Sequence, residues 1–167
     1  GMNVIGAKWV FKKKYKSDGS VERYKGRLVA KGFKQREGID FNETYAPVLH
    51  YKTLRALLSI IASLDYDMMQ MDVPTAFLNA DLTEDVYMEL PEGMVDPGGL
   101  YVGKKYRDDP NNKKTKYVCH IQTSIYGIKQ AQREWNLEIN GFLVACGSRR
   151  MIDDPGCDRT MSAIGRN

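Results

Sequence analysis

The sequence predicts an α+β domain, and three observations carry that reading. Two strand-like runs, Trp9 to Lys16 and Val21 to Val29, flank Ser17-Asp18-Gly19-Ser20, whose Asp-Gly suits the positive backbone angles of a tight hairpin turn. Apolar residues at Leu54, Leu57, Leu58, Ile61 and Leu64 recur with the period of one helix face, and Ile128, Trp135, Ile139, Phe142 and Cys146 mostly do so further on. Short apolar runs at Val86 to Leu90 and Tyr117 to Ile121 supply further strands between the two helical stretches. At 167 residues and 43% hydrophobic, the chain is long enough for one ordinary core and too short for two, so residues 1–167 are read as a single domain.

Charge is more informative in its distribution than in its sum of +4. Residues 1–37 hold eleven Lys or Arg against three Asp or Glu, a local excess of +8, while the remainder is net acidic. Such asymmetry is the footprint of a polyanion-binding surface, or equally the solvated, lysine-protected edge of a sheet. No apolar run approaches a membrane span and no secretory signal opens the chain, so the expected setting is intracellular, cytoplasm or nucleus, without membrane attachment. Cys119, Cys146 and Cys157 form no close pair and complete no zinc constellation with His50 and His120, which reads as free thiols in a reducing compartment.

In chain order, the basic hairpin comes first, with Lys12, Lys13, Lys14 and Lys25 as candidate phosphate contacts. Phe33 to Leu49 lacks sustained periodicity and reads as a connecting loop with no assigned chemistry. Thr53 is the expected cap of the first helix. Asp67 to Val73 has the alternation of a strand, with Met69 and Met71 on one face and Asp72 delivered near its end, where a sheet presents chemistry. Asp72 is the leading catalytic candidate; its alternative role is to cap a helix starting near Thr75. Residues 96–116, rich in Gly, Pro, Asn and Lys, read as an exposed loop. Gly147 is a natural stop for the last helix.

Asp72 with Phe77 five residues on, the segment Ser124-Ile125-Tyr126-Gly127-Ile128-Lys129-Gln130-Ala131, and the basic hairpin upstream together resemble the copia-type retrotransposon reverse transcriptase. The resemblance covers most of the chain. It implies a partial right-hand polymerase fold: a basic fingers β-hairpin plus an antiparallel palm sheet backed by helices, with residues 1–66 mainly fingers and 67–167 the N-terminal palm. It implies two-metal nucleotidyl transfer with Mg²⁺, template-primer and deoxynucleoside triphosphates. Asp72 and the carbonyl of Val73 would be metal ligands. Arg27 would meet the triphosphate, with Lys25 or Lys12 as alternatives in register, and Tyr126 and Gly127 would line the nucleotide pocket. Phe77 would be a steric plate against a ribose 2′-hydroxyl, its alternative being core packing.

Three departures stand out from the family pattern: Pro74 replaces a lysine, Ala80 a glycine and Gln132 a proline. Tyr106-Arg107-Asp108-Asp109 spells a polymerase catalytic turn but precedes the Tyr-Gly segment and lacks apolar flanks, so it is rejected, as is Met151-Ile152-Asp153-Asp154. The chain is therefore read as the fingers and first part of the palm, ending before its catalytic turn. The rest of the palm, the thumb and an RNase H portion of the polyprotein would complete it. The alternative is a non-catalytic nucleic-acid-binding remnant.

Overall fold

A computed structural model describes residues 3–94, 105–106 and 116–160. Within them lie two helices and three small sheets, in agreement with the α+β expectation. Strands β2 (Ala7–Tyr15) and β3 (Val21–Ala30) form the expected antiparallel hairpin. At its tip the Asp18 carboxylate accepts hydrogen bonds from the Ser20 amide and hydroxyl, and Gly19 takes φ 83°. Those two bonds hold the Asp18 carboxyl below its ordinary range.

The central sheet is built from β1 (Val4–Ile5), β4 (Asp81–Glu89), β5 (Lys105–Tyr106) and β6 (Lys116–Thr123) in the order β1-β4-β6-β5. Its β4–β6 and β5–β6 ladders are antiparallel, but β1 joins β4 in parallel. The sheet is thus mixed rather than wholly antiparallel. The short β5 also pairs within a segment whose composition reads as loop. The Tyr-x-Asp-Asp lookalike and most of the 96–116 loop otherwise lie outside the described residues. The buried core joins Ile5, Val86, Met88 and Ile121 from this sheet to Ala30 at the hairpin root and to Ile128 and Ala131 at the start of α2 (Ala131–Ala145). At roughly 1.5–3 kcal/mol per fully buried large aliphatic side chain, this cluster is the principal adhesive between hairpin, sheet and helix.

Three expectations are corrected. Asp67–Val73 is irregular, not a strand: no described neighbour offers it a ladder, and Met69 and Met71 are 81% and 83% exposed. Alternation alone does not make a strand when its backbone groups have no partner. Helix α1 (Tyr51–Leu64) forms, yet it buries no residue, so its apolar stripe is unpartnered among the described residues and it does not back the sheet. Nor does Thr53 cap it, for the helix begins two residues earlier and its N-cap residue, His50, makes no side-chain cap bond.

The start of α1 is secured from a distance. The buried Asp154 carboxylate accepts from the His50 amide at 3.0 Å, from the Thr53 hydroxyl and from the Gly156 amide. The Met151-to-Asp154 lookalike thus ends in a side chain engaged in anchoring a helix. Helix α2 buries Ala131 and Glu134 rather than its predicted stripe, of which only Ile128, just ahead of the helix, is buried; Trp135 and Ile139 are half-buried and Phe142 is 63% exposed. Beyond it, Gly147 reverses the chain with φ 88° into the antiparallel pair β7 (Ser148–Arg150) and β8 (Asp158–Thr160). The three cysteines are free thiols, as expected. No described helix is long and apolar enough to cross a membrane.

Candidate functional site

A cleft of about 710 Å³ opens between the β3 strand, the 72–78 turn and the corner that leads into α2. Three chain segments meet there: β3 contributes Arg23, Lys25 and Arg27, the turn contributes Asp72, Val73, Pro74 and Phe77, and the corner contributes Ile125 and Tyr126. Period-two alternation explains the first wall. Arg23, Lys25 and Arg27 pair across the hairpin with Lys14, Lys12 and Val10, so all six side chains share one face. Lys13 pairs with Tyr24 and belongs to the other face. The expected set Lys12, Lys13 and Lys14 is therefore split between two surfaces.

The aromatic floor is tied to both neighbours. Phe77 meets Tyr126 edge-on at 5.2 Å between centroids, and the Arg27 guanidinium lies 5.5 Å from the centre of the Tyr126 ring. Phe77 also packs on the core cluster, so the two readings of that residue coexist: its inner side is core and its outer side lines the cleft. It sits on the short 3-10 turn Ala76–Asn79, entered through Thr75 at φ 53°. A β-branched residue in the left-handed region stores about 1–3 kcal/mol of strain, and here it lies beside the site. No side-chain cap serves this turn, so the capping role for Asp72 is not realised.

Electrostatically, one wall is cationic and Asp72 faces it. Lys25 is held below its ordinary value by the Arg27 guanidinium first, then by partial desolvation and the charges of Lys14 and Arg23, while Asp72 pulls in the opposite direction. The wall therefore favours an arriving anion.

Gly127 stands just behind the cleft lining. Its φ is 96°, and a Cβ there would meet the Ala30 carbonyl oxygen at 2.2 Å; a Cβ on Gly32 would meet the Gly127 oxygen at 2.0 Å. Ala30 donates its amide to the Tyr126 oxygen at 2.8 Å. Backbone-to-backbone contact thus fixes Tyr126 against the hairpin root, and glycine is required for the approach rather than for lining the pocket.

A buried amide network behind this corner was not legible in the sequence. Gln35 Nε2 donates to Gln130 Oε1 at 2.9 Å, Gln130 Nε2 to the Asp40 carbonyl at 2.9 Å, and the Lys129 amide to Gln35 Oε1 at 2.7 Å. The Asp40 carboxylate accepts from the Arg36 amide and the Asn3 side chain. The 33–49 segment, read as a plain connector, is what stitches the Tyr126 corner in place. Gln130 follows Tyr126-Gly127 by only three residues, but nothing local marks it as buried.

The donor set does not fit a resident two-ion centre. Among the described residues no group of three His, Cys, Asp or Glu side chains could hold a metal. Asp72 and one backbone carbonyl fall well short of the octahedral oxygen shell that Mg²⁺ demands.

A family profile described as "Reverse transcriptase (RNA-dependent DNA polymerase)" matches residues 1–156. The "Retrovirus-related Pol polyprotein from transposon RE1" of Arabidopsis thaliana is 40% identical over 153 residues, covering 92% of this chain and 9% of that protein. The corresponding polyprotein from transposon TNT 1-94 of Nicotiana tabacum is 41% identical over 155 residues, 93% of this chain and 10% of its own length. An uncharacterized mitochondrial protein of Arabidopsis thaliana is 54% identical over 63 residues, 38% of this chain and 37% of its own. The chain therefore spans about a tenth of the polyproteins it resembles, and no solved structure matches it significantly. With residues 1–156 of 167 matched and two fifths of the aligned residues identical to transposon polyproteins, the chain belongs to the reverse transcriptase (RNA-dependent DNA polymerase) family.

Proposed function

We propose that the cleft receives a deoxynucleoside triphosphate, and that the chain forms the fingers and N-terminal palm of an RNA-directed DNA polymerase within a right-hand fold. One observation carries the reading: Lys25, Arg27, Asp72, Val73, Phe77 and Tyr126, drawn from three distant segments, line a single cleft. Arg27 and Lys25 offer the triphosphate fixed positive charge, and the mutual repulsion that depresses Lys25 is relieved when an anion arrives. Tyr126 and Phe77 supply two apolar ring walls, set edge to face, for sugar and base, and the bulk of Phe77 disfavours an added 2′-hydroxyl. Asp72 and the Val73 carbonyl would provide one part of a Mg²⁺ shell, the other carboxylates coming from polyprotein outside the described residues. Template-primer would lie along the cationic hairpin face, with Lys12 and Lys14, which stand outside the cleft lining, on its phosphates.

Isothermal titration of the chain with a deoxynucleoside triphosphate tests this. Without divalent metal, Asp72→Asn should bind more tightly than wild type, because a like charge has left the cleft; with Mg²⁺ present that advantage should vanish. Arg27→Ala should weaken binding about 10- to 100-fold, the worth of a charged hydrogen bond. If Arg27→Ala binds as wild type does, the triphosphate is not in this cleft.

A further inference from the structure

Helix α1 carries an apolar stripe that no described residue covers. Leu54, Leu57, Ile61 and Leu64 recur at alternating spacings of three and four, with Leu58 beside them, and none of the five is buried; Leu58 and Leu64 are 40% and 56% exposed. That spacing is the seam of a helix pair. The helix is nevertheless already formed, because Asp154 holds its first turn and the Asp65 amide closes its last turn on the Ile61 carbonyl. A ready-made helix loses little further freedom when a second one is laid on it.

The charges at the two ends of α1 choose the occupant. Lys52 and Arg55 stand at the N-terminal end, where the helix dipole is itself positive, and the first turn holds no acidic residue. Arg55 is kept there by the Tyr51 ring, whose centre lies 5.3 Å from its guanidinium. Asp65 and Asp67 follow the C-terminal end, where the dipole is negative, and the last turn holds no basic residue. Both ends thus carry charge of the sign that the dipole disfavours. An identical helix laid antiparallel offsets both at once, basic end against acidic end, twice by symmetry.

We infer that α1 is the seam of an isologous dimer, in which a second copy of this chain lays its own α1 antiparallel across the stripe. In the register that sets Leu54 opposite the second copy's Leu64 and Leu57 opposite its Ile61, Lys52 falls alongside the second copy's Asp65. Tyr66, 62% exposed just past the helix, then extends the contact onto the second copy's Tyr51, which is 70% exposed. A parallel copy would set the basic ends against each other. None of these residues lines the cleft, so the dimer is independent of the triphosphate reading. Two paired helices with these flanks make a small interface, under about 1,200 Å², and a dissociation constant on the order of 10 µM suits that size.

Sedimentation equilibrium of the chain over a concentration series tests this. Wild type should pass from monomer to dimer and no further, because a two-fold contact closes on itself. Leu57→Glu should weaken association at least about 100-fold, since dimerisation would bury an unpaired charge, while its helix content by circular dichroism and its urea midpoint stay as in wild type. The acidic variant Lys52→Glu, Arg55→Glu and the basic variant Asp65→Asn, Asp67→Lys, in which asparagine keeps the left-handed cap at φ 52°, should each be monomeric alone and should associate when mixed. A wild-type chain that stays monomeric well above the expected dissociation constant would overturn the dimer and leave the stripe to another occupant, such as downstream polyprotein. So would a Leu57→Glu variant that dimerises like wild type or loses helix content, or charge variants that fail to associate on mixing.

Discussion

The Gly127 corner is where the structure makes its most quantitative demand, and a three-glycine series resolves that demand into its parts. Gly147 has φ 88° with nothing within 4 Å of an added Cβ, so Gly147→Ala isolates the backbone-angle penalty, about 1–2 kcal/mol. Gly32 has no positive φ, but its Cβ would lie 2.0 Å from the Gly127 oxygen, more than an ångström inside the closest comfortable carbon–oxygen approach of about 3.3 Å. Gly32→Ala therefore isolates overpacking, about 1–3 kcal/mol. Gly127 carries both penalties, its φ of 96° and a 2.2 Å clash with the Ala30 oxygen. Its replacement by alanine should cost their sum, about 2–5 kcal/mol, against a total stability of about 5–15 kcal/mol for a domain. Urea unfolding monitored by circular dichroism measures all three. The order should be Gly127 worst, with Gly32→Ala and Gly127→Ala also lowering triphosphate affinity because Tyr126 leaves Arg27, while Gly147→Ala leaves binding intact. If Gly127→Ala costs no more than Gly147→Ala, the corner yields freely and backbone contact does not position Tyr126.

Two further outcomes follow from the same geometry. On duplex DNA, the log–log salt slope should flatten by about two units when Lys12 and Lys14 become alanine, at about 0.9 per phosphate contact, and should hold for Lys13→Ala, which lies on the opposite face; an equal effect from Lys13→Ala would show that the strand register does not govern binding. The Asp154 carboxyl is held below its ordinary value, first by the Thr53 hydroxyl and then by the His50 and Gly156 amides acting against desolvation. A depressed folded-state value contributes stability above the unfolded value of about 3.9 and loses it as pH falls through the folded one. Asp154→Asn should therefore lower the urea midpoint at pH 7 and lose that disadvantage progressively below about pH 4; a gap that stays constant down to about pH 2.5 would place the carboxylate outside the linkage.

What the sequence determined by itself was whatever depends on near neighbours. The hairpin follows from two β-rich runs about an Asp-Gly turn, the existence of both helices from their apolar period, and the stop at Gly147 from its freedom at positive φ. The motif residues Asp72, Phe77 and Tyr126 were likewise nameable from their order in the chain. Tertiary structure alone decided which of them meet. Arg27 and Tyr126 are neighbours because Gly32 and Gly127 let two backbones touch, and that contact joins segments far apart in the chain. Gln35, Asp40 and Gln130 carry no local signature, since a buried amide and a solvated one are written with the same letter. The failed strand at Asp67–Val73 and the uncovered stripe of α1 have the same cause. Periodicity states which residues would be buried if a partner were present, whereas the partner itself is a property of the fold.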